Sequence, residues 1–424
     1  MKSNFELADI FSDNIVFQAG LPIKIFGKCK KNIEIQIDFL GQQFNIKTKD
    51  ESFLVELPAI EERKSSFSFT IKSKKQEQTI YNCQIGDVYL FIGGMNVSMP
   101  LEEGFYNQEY DMLDLRFFSC DASSYSWKIA DKTNYTSFSA VAYLFAKNIH
   151  NISQSAIGII NCTSPNSRIF SWMNISDIRS NKEIKQITDK YSSSDRIPLY
   201  SVMKEKIIPH QIKSVIIYQG ENDYPYYNVF ENCLKLIIKC LRLDFNCLTL
   251  PFFVIQIAGY NHPDADDFSV SMIRIAQAKV ASVKDSVYLV SAIDIGSEND
   301  IFPKDKHLLA KRLADTVLEK LYRIGKNNIS PSFFSHTVYP NKVTILIKDN
   351  YLNLVSRSGQ HLGFSYTENG VDFKSLKSVS IANNIIEINL DKDVKEIRYA
   401  MKKYPTCDIF SSNGLPLLPF RVKL

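Results

Sequence analysis

The stretch Gly86-Asp-Val-Tyr-Leu-Phe-Ile-Gly-Gly-Met-Asn-Val-Ser-Met-Pro-Leu101 decides the fold. Positions 88–92 are apolar without interruption. A strand with one face in water alternates apolar and polar residues, whereas a strand covered on both faces does not. Similar runs follow at Ala156-Ile-Gly-Ile-Ile, Val215-Ile-Ile-Tyr, Phe252-Phe-Val-Ile-Gln-Ile and Val287-Tyr-Leu-Val-Ser-Ala-Ile. Amphipathic stretches lie between and after them. Residues 138–150 are apolar at Val141, Leu144, Phe145 and Ile149, and Leu309, Leu313, Val317 and Leu321 recur every four residues. Buried strands alternating with one-sided helices predict an α/β domain with a doubly wound parallel sheet over about 86–325.

On either side the pattern changes. Ile23-Lys-Ile-Phe, Ile33-Glu-Ile-Gln-Ile, Gln43-Phe-Asn-Ile-Lys and Phe67-Ser-Phe-Thr-Ile have the period of two of half-buried strands, so 1–85 is read as an N-terminal β-sandwich. After Gly325 the alternation returns in Val343-Thr-Ile-Leu-Ile, Ile386-Glu-Ile-Asn-Leu and Ile397-Arg-Tyr-Ala, which makes 326–424 a β-rich C-terminal part. No internal repeat or low-complexity tract interrupts this organisation.

Of the 424 residues, 45% are hydrophobic and 23% charged, the balance of a globular protein with a sizeable core. Lys+Arg 50 against Asp+Glu 46 leaves a net charge of +4, which favours neither a nucleic-acid nor a membrane partner. The opening Met-Lys-Ser-Asn-Phe-Glu-Leu-Ala-Asp has no apolar core of a signal peptide, and no run approaches the about 18 apolar residues of a membrane span. A cytoplasmic location is the resulting expectation. The 8 cysteines (29, 83, 120, 162, 233, 240, 247, 407) show no CxxC or zinc spacing and no disulfide framework. Cys233 and Cys240 lie on the apolar helical stretch Val229–Leu243 and Cys247 falls just beyond it; all three are read as small core residues. No metal or other cofactor is implied.

Several segments together resemble one family. Ile10-Phe-Ser-Asp-Asn-Ile-Val-Phe-Gln18 is similar to the opening of bacterial sialate O-acetylesterases, and Tyr399-Ala-Met with Asn413-Gly-Leu-Pro-Leu-Leu-Pro-Phe-Arg421 is similar to their closing segment. Between these, Gly86-Asp-Val-Tyr-Leu, Phe138-Ser-Ala-Val-Ala-Tyr, Tyr218-Gln-Gly-Glu221 and Asp294-Ile-Gly with Asn299-Asp-Ile-Phe-Pro-Lys304 follow in the family's order and spacing. The resemblance spans essentially the whole chain and implies an SGNH-hydrolase-like fold. It also implies removal of acetyl groups from O-acetylated sugars by a serine nucleophile, a histidine base and an orienting acid. The oxyanion donors implied are the nucleophile's amide, a glycine amide and an Asn-type side chain.

The chain departs from that pattern where the chemistry sits. The family's Gly-Gln-Ser-Asn falls on Gly93-Gly-Met-Asn96, so Met95 occupies the nucleophile position, and a thioether has no proton to lose. The family's Asp-Ile-His-Pro falls on Asp300-Ile-Phe-Pro303, which places Phe302 at the base position and keeps the acid as Asp300. The family's Gly-Gly-Thr falls on Pro165-Asn166-Ser167, anchored by Trp172, and proline has no N–H to offer an oxyanion. Asn96 and the block Gln219, Gly220, Glu221, Asn222 remain as the binding residues that the resemblance implies.

These positions leave distinct readings open. The chain is an inactive homologue that still binds an acetylated or sialylated sugar, or that regulates or partners an active paralogue or a second copy of itself. Alternatively, it is an active carbohydrate acetylesterase whose nucleophile has moved to Ser98 with His307 as base. A third reading is a structural or interaction protein in which Met95 and Phe302 fill the old pocket. Gln219, Glu221 and Asn222 suit either a self-satisfied loop or sugar-facing groups, and Tyr224-Pro-Tyr-Tyr227 suits either packing or stacking on a sugar ring. His262 lies just past a parallel strand, where α/β proteins place ligands, though a plain loop residue fits equally.

Overall fold

The computed structural model describes residues 4–61, 63–104, 112–120, 125–189, 199–348, 353–390 and 393–424. The chain forms two compact units. The first comprises Met1–Ile217, Leu236–Phe252 and Lys304–Ala310, and the second Tyr218–Lys235, Phe253–Pro303 and Lys311–Leu424.

The first unit opens with β1 (Phe5–Leu7), β2 (Val16–Gln18), β3 (Ile23–Cys29), β4 (Glu34–Phe39), β5 (Gln42–Lys47), β6 (Ser52–Leu57), β7 (Arg63–Ser73) and β8 (Gln76–Gly93). One sheet has the order β1-β3-β6, and β5-β4-β7-β8 forms the facing layer of an antiparallel sandwich. Alternation puts Phe17, Phe39 and Phe69 on the buried face, where their rings meet at centroid distances of 5.6–5.8 Å. The 18-residue β8 runs straight through Gly86, where the residue pattern changes. Its first part pairs antiparallel with β7, and its second part pairs in parallel with β11 (Ile157–Thr163). Gly86 permits this passage, because a Cβ there would lie 2.1 Å from the Ala156 carbonyl oxygen.

With β9 (Met112–Ser119), β10 (Trp127–Ala130) and β12 (Ser214–Tyr218), the central layer of this unit has the order β10-β9-β11-β8-β12. β9, β11 and β8 are parallel, as expected for a doubly wound sheet, while β10 adds an antiparallel edge that sequence reading does not anticipate. β9 is also absent from the sequence reading. Its apolar pattern is broken by Arg116, which is nonetheless 2% exposed and donates to the carbonyls of Asn14 and Asn82. Burial lowers the Arg116 pKa to about 10. Residues 140–153 form the expected helix (Ala140–Ser153), with Ser139 accepting the Ala142 amide as its N-cap and Phe145 edge-on to Tyr89 and Phe91.

The cysteine reading needs one correction: Cys120 and Cys162, 42 positions apart in sequence, are joined in a disulfide with a Cα–Cα distance of 4.9 Å. They meet because β9 and β11 are parallel neighbours that end side by side, with the Cys120 amide bonded to the Asn161 carbonyl.

The second unit holds β13 (Phe252–Gln256) and β14 (Val287–Ser291), followed by β15 (Ser332–Tyr339), β16 (Lys342–Lys348), β17 (Leu354–Ser356), β18 (Phe364–Thr367), β19 (Lys374–Ser375), β20 (Val379–Ala382), β21 (Ile385–Asn389), β22 (Glu396–Tyr399), β23 (Ile409–Ser411) and β24 (Phe420–Lys423). Its C-terminal sheets have the orders β15-β16-β21-β20 and β19-β18-β22-β24, with β17 paired to β23. Their alternating apolar residues, Val343, Ile345, Ile386, Ile397 and Phe420 among them, close into one core that also takes in Ile293 from the α/β part. Arg274, fully buried on the helix Asp267–Val283, donates to the carbonyls of Ile257, Ala258, Lys402 and Lys403. No described helix is long and apolar enough to cross a membrane.

Candidate active-site region

In the first unit the chain winds from β8 to β11 on one side, while β12 lies on the other. Ligand sites in open α/β sheets form at such a reversal, at the carboxyl ends of the strands. The carboxyl end of β8 carries the Met95 block. Gly93 has φ +148 and stands opposite Thr163 of β11, and its carbonyl accepts the Ser164 amide at 3.0 Å. Met95–Ser98 then makes a single helical turn, with the Val97 and Ser98 amides bonded to the Gly94 carbonyl. The chain thus passes from β8 through Gly94 into a helical turn of which Met95 is the first residue. The Met95 side chain is half-buried.

Asn96 is 1% exposed, and its Oδ1 accepts a 2.6 Å hydrogen bond from the Lys306 ammonium, which is itself 2% exposed. Sequence reading misses Lys306. A lysine just before a helix reads as solvated, and the only available signal is its place three residues after Pro303 in the base-position block. Next to it, Asp305 accepts both the backbone amide and the imidazole Nδ1 of His307 at 2.9 Å, and these bonds hold its carboxyl below the ordinary carboxylate range. The Ser98 hydroxyl turns back to the Met95 carbonyl at 3.3 Å and lies 3.6 Å from the Met95 sulfur. Ser98 and His307 are therefore each engaged within their own turn, and no hydrogen bond joins them. The Pro165-Asn166 segment is an exposed turn, closed by Ser167 N–H to the Ser164 carbonyl at 3.0 Å, and Trp172 behind it is 1% exposed. The hydroxyls of Thr163 and Ser171 are buried without a hydrogen-bond partner.

In the second unit, the 219–223 block is internally tied. Gln219 donates to Asp223 Oδ2 at 2.7 Å, the Asp223 amide returns to the Gly220 carbonyl at 3.0 Å, and Gln277 donates to the Gln219 carbonyl at 3.0 Å. Gly220 has φ +146, and a Cβ there would lie 2.9 Å from Ile257 Cγ2 and Ile273 Cγ2, so only glycine fits. Glu221 and Asn222 are half-buried. Burial raises the Tyr218 phenol, and the Glu221 charge raises it further. Asp300 accepts the Phe302 amide at 2.8 Å, so the retained acid shapes its own turn, and the Phe302 ring is half-buried. His262 accepts the Asp264 amide at 3.1 Å and lies against Tyr224, with ring centroids 4.7 Å apart. Tyr226 is buried as packing. Asp294 in the same unit takes a bidentate pair from Arg312 at 2.6 and 2.8 Å. No group of His, Cys, Asp or Glu arranged to hold a metal ion occurs among the described residues.

The α/β sheet and the β-rich C-terminal part give the chain an SGNH-like fold. Residues 125–319 match the family described as carbohydrate esterase, sialic acid-specific acetylesterase, the family that the chain's motifs resemble. Across 99% of both chains, the fold is that of a carbohydrate acetylesterase from Xanthomonas citri, with a TM-score of 0.88 at 23% identity. Weaker likenesses are to a protein from Arabidopsis thaliana (TM-score 0.38, 18% identity, 55% of this chain and 98% of that one) and to a family two carbohydrate esterase from Clostridium thermocellum (TM-score 0.34, 16% identity, 72% and 90%). No curated protein matches the sequence.

Proposed function

We infer that this chain is a non-hydrolytic member of the acetylesterase family that binds an acetylated or sialylated sugar at the old active-site region. The carrying observation is Met95 as the first residue of the helical turn that follows β8 and Gly94. A methionine there cannot form an acyl enzyme, while the backbone amide at the same position, in the first turn of a helix, has no intrahelical acceptor and is kept whatever the side chain. Phe302 supports the reading from the base position, since a phenyl ring accepts no proton. Because Met95 and Phe302 are both half-buried, neither side chain is wholly absorbed into a core. At each position that favours a side chain reachable by a ligand over one that fills a core. Glu221 and Asn222, both half-buried in the second unit, are the candidate ligand-facing groups of the 219–223 block.

Hydrolysis of p-nitrophenyl acetate and of O-acetylated sialic acid by the purified protein tests this, beside the Met95→Ser/Phe302→His double variant. The expected result is silence in the natural chain and acetate release in the variant. Saturable hydrolysis by the natural chain would overturn the reading, and its loss in Ser98→Ala would assign the chemistry to Ser98. Calorimetric titration of the natural chain with O-acetylated sialic acid tests the binding half separately.

A further inference from the structure

We propose that the chain pairs with a second copy of itself through β15, as an antiparallel two-fold strand pair centred on His336. β15 is the edge of the sheet β15-β16-β21-β20. Its pairing with β16 is closed by Tyr339 opposite Lys342 around the loop Pro340-Asn341. The closing pair of a two-residue hairpin is hydrogen-bonded, and hydrogen-bonded pairs then alternate along an antiparallel ladder. Thr337 and Ser335 therefore bond inward to Thr344 and Leu346. His336 and Val338, opposite Ile345 and Val343, turn their N–H and C=O groups away from β16. On the far side of β16 the same alternation is seen, since the Ile347 amide bonds to Asn384.

Unprotected edges of this kind accept another strand, and natural proteins guard them with Lys, Pro or inward charges. Ser332–Tyr339 (SFFSHTVY) contains no Asp, Glu, Lys, Arg or Pro. Its only guard is the register shift between Phe333 and Ser335. Phe334 is 63% exposed, Val338 52% and Tyr339 50%.

The occupant follows from the order of residues. A two-fold axis at His336 sets Ser335 opposite Thr337, Phe334 opposite Val338 and Phe333 opposite Tyr339. Hydroxyl thus meets hydroxyl, apolar meets apolar, and aromatic meets aromatic, with no like charges opposed. Such self-complementarity is what an isologous contact requires. The backbone agrees, because the central pair His336–His336 is a hydrogen-bonded pair built from the groups that point outward.

Sedimentation over a dilution series, with amide hydrogen exchange on the same samples, tests the pairing. The natural chain is expected to sediment as a dimer that dissociates on dilution. Exchange at His336 and Val338 should slow as concentration rises, while Thr337, already bonded to β16, should not change. Val338→Pro removes an outward N–H without touching the β16 ladder, and His336→Lys opposes like charges at the axis; both should be monomers with an unchanged circular dichroism spectrum. A natural chain that stays monomeric, or a dimer whose His336 and Val338 amides exchange at the same rate at every concentration, would overturn the proposal. If a variant misfolds, the exchange result on the natural chain decides alone.

Discussion

Lys306 shows how much a single side chain fixes at the turn after β8. Its ammonium is buried and bonded to Asn96 Oδ1 at 2.6 Å, so the two hold the turn that follows Met95. A charge-assisted bond of this kind is worth about 1.5–3 kcal/mol, and a buried acceptor that loses it bears the desolvation cost. Lys306→Met should therefore lower unfolding free energy by about 2 kcal/mol in urea titration; a change under about 0.5 kcal/mol would mean that Asn96 is held by other groups. Gly220 is the backbone counterpart. With φ +146 and isoleucine methyls 2.9 Å from any added Cβ, Gly220→Ala combines strain with overpacking and should cost about 2–4 kcal/mol by the same measurement. The Asp294–Arg312 pair, with side chains 5% and 8% exposed, gives a third case. Arg312→Met leaves a buried carboxylate alone and should cost about 3–5 kcal/mol, whereas replacing both partners by apolar residues should cost far less.

At the scale of elements, β2 is held in place by His210, whose Nε2 lies 3.1 Å from the Val16 carbonyl and whose ring sits among Phe11 and Phe17. Burial pushes the imidazole down to about 4, only partly offset by that hydrogen bond. The unfolded chain binds the proton near pH 6.5. Above that value neither state is protonated and nothing is lost. Between about 6.5 and 4 only the unfolded state is protonated, so stability falls with pH by roughly 3 kcal/mol in all. His210→Gln should flatten the stability–pH curve over that window relative to the natural chain; parallel curves would remove His210 as the cause. The elements also show what sequence can reveal. β8, β11, β12, β13 and β14 were legible because strands covered on both faces must be apolar throughout, and β16, β21 and β22 because a half-covered sheet alternates. β9 was hidden by Arg116, whose guanidinium donates to the Asn14 and Asn82 carbonyls, distant in sequence. The Cys120–Cys162 link and the Lys306–Asn96 contact were hidden for the same reason: each depends on which strand ends or turns become neighbours, and local spacing does not encode that. Met95 and Phe302 stood out only because flanking motif residues fixed their positions.

At the scale of the molecule, the compact units do not follow chain order. The second unit gathers Tyr218–Lys235, Phe253–Pro303 and Lys311–Leu424, so the C-terminal strands share a unit with segments of the α/β part. Ile293 is 1% exposed within a core otherwise built from β16, β18, β21, β22 and β24 and the segments that join them. Arg274, its pKa lowered to about 10 by burial, spends two of its donors on the carbonyls of Lys402 and Lys403. A chain cut at 325/326 would open Ile293 to water and strip a buried guanidinium of half its acceptors, and an unpartnered buried charge costs several kcal/mol. Against a typical total stability of about 5–15 kcal/mol, that loss is large. Residues 1–325 expressed alone should therefore fail to unfold cooperatively or should aggregate. Adding residues 326–424 as a separate chain should restore protection of the Arg274 region in hydrogen exchange. A 1–325 fragment with a sharp urea transition and the stability of the full chain would show that the C-terminal strands are an appendage, and that the buried contacts of Ile293 and Arg274 contribute little to holding the second unit together.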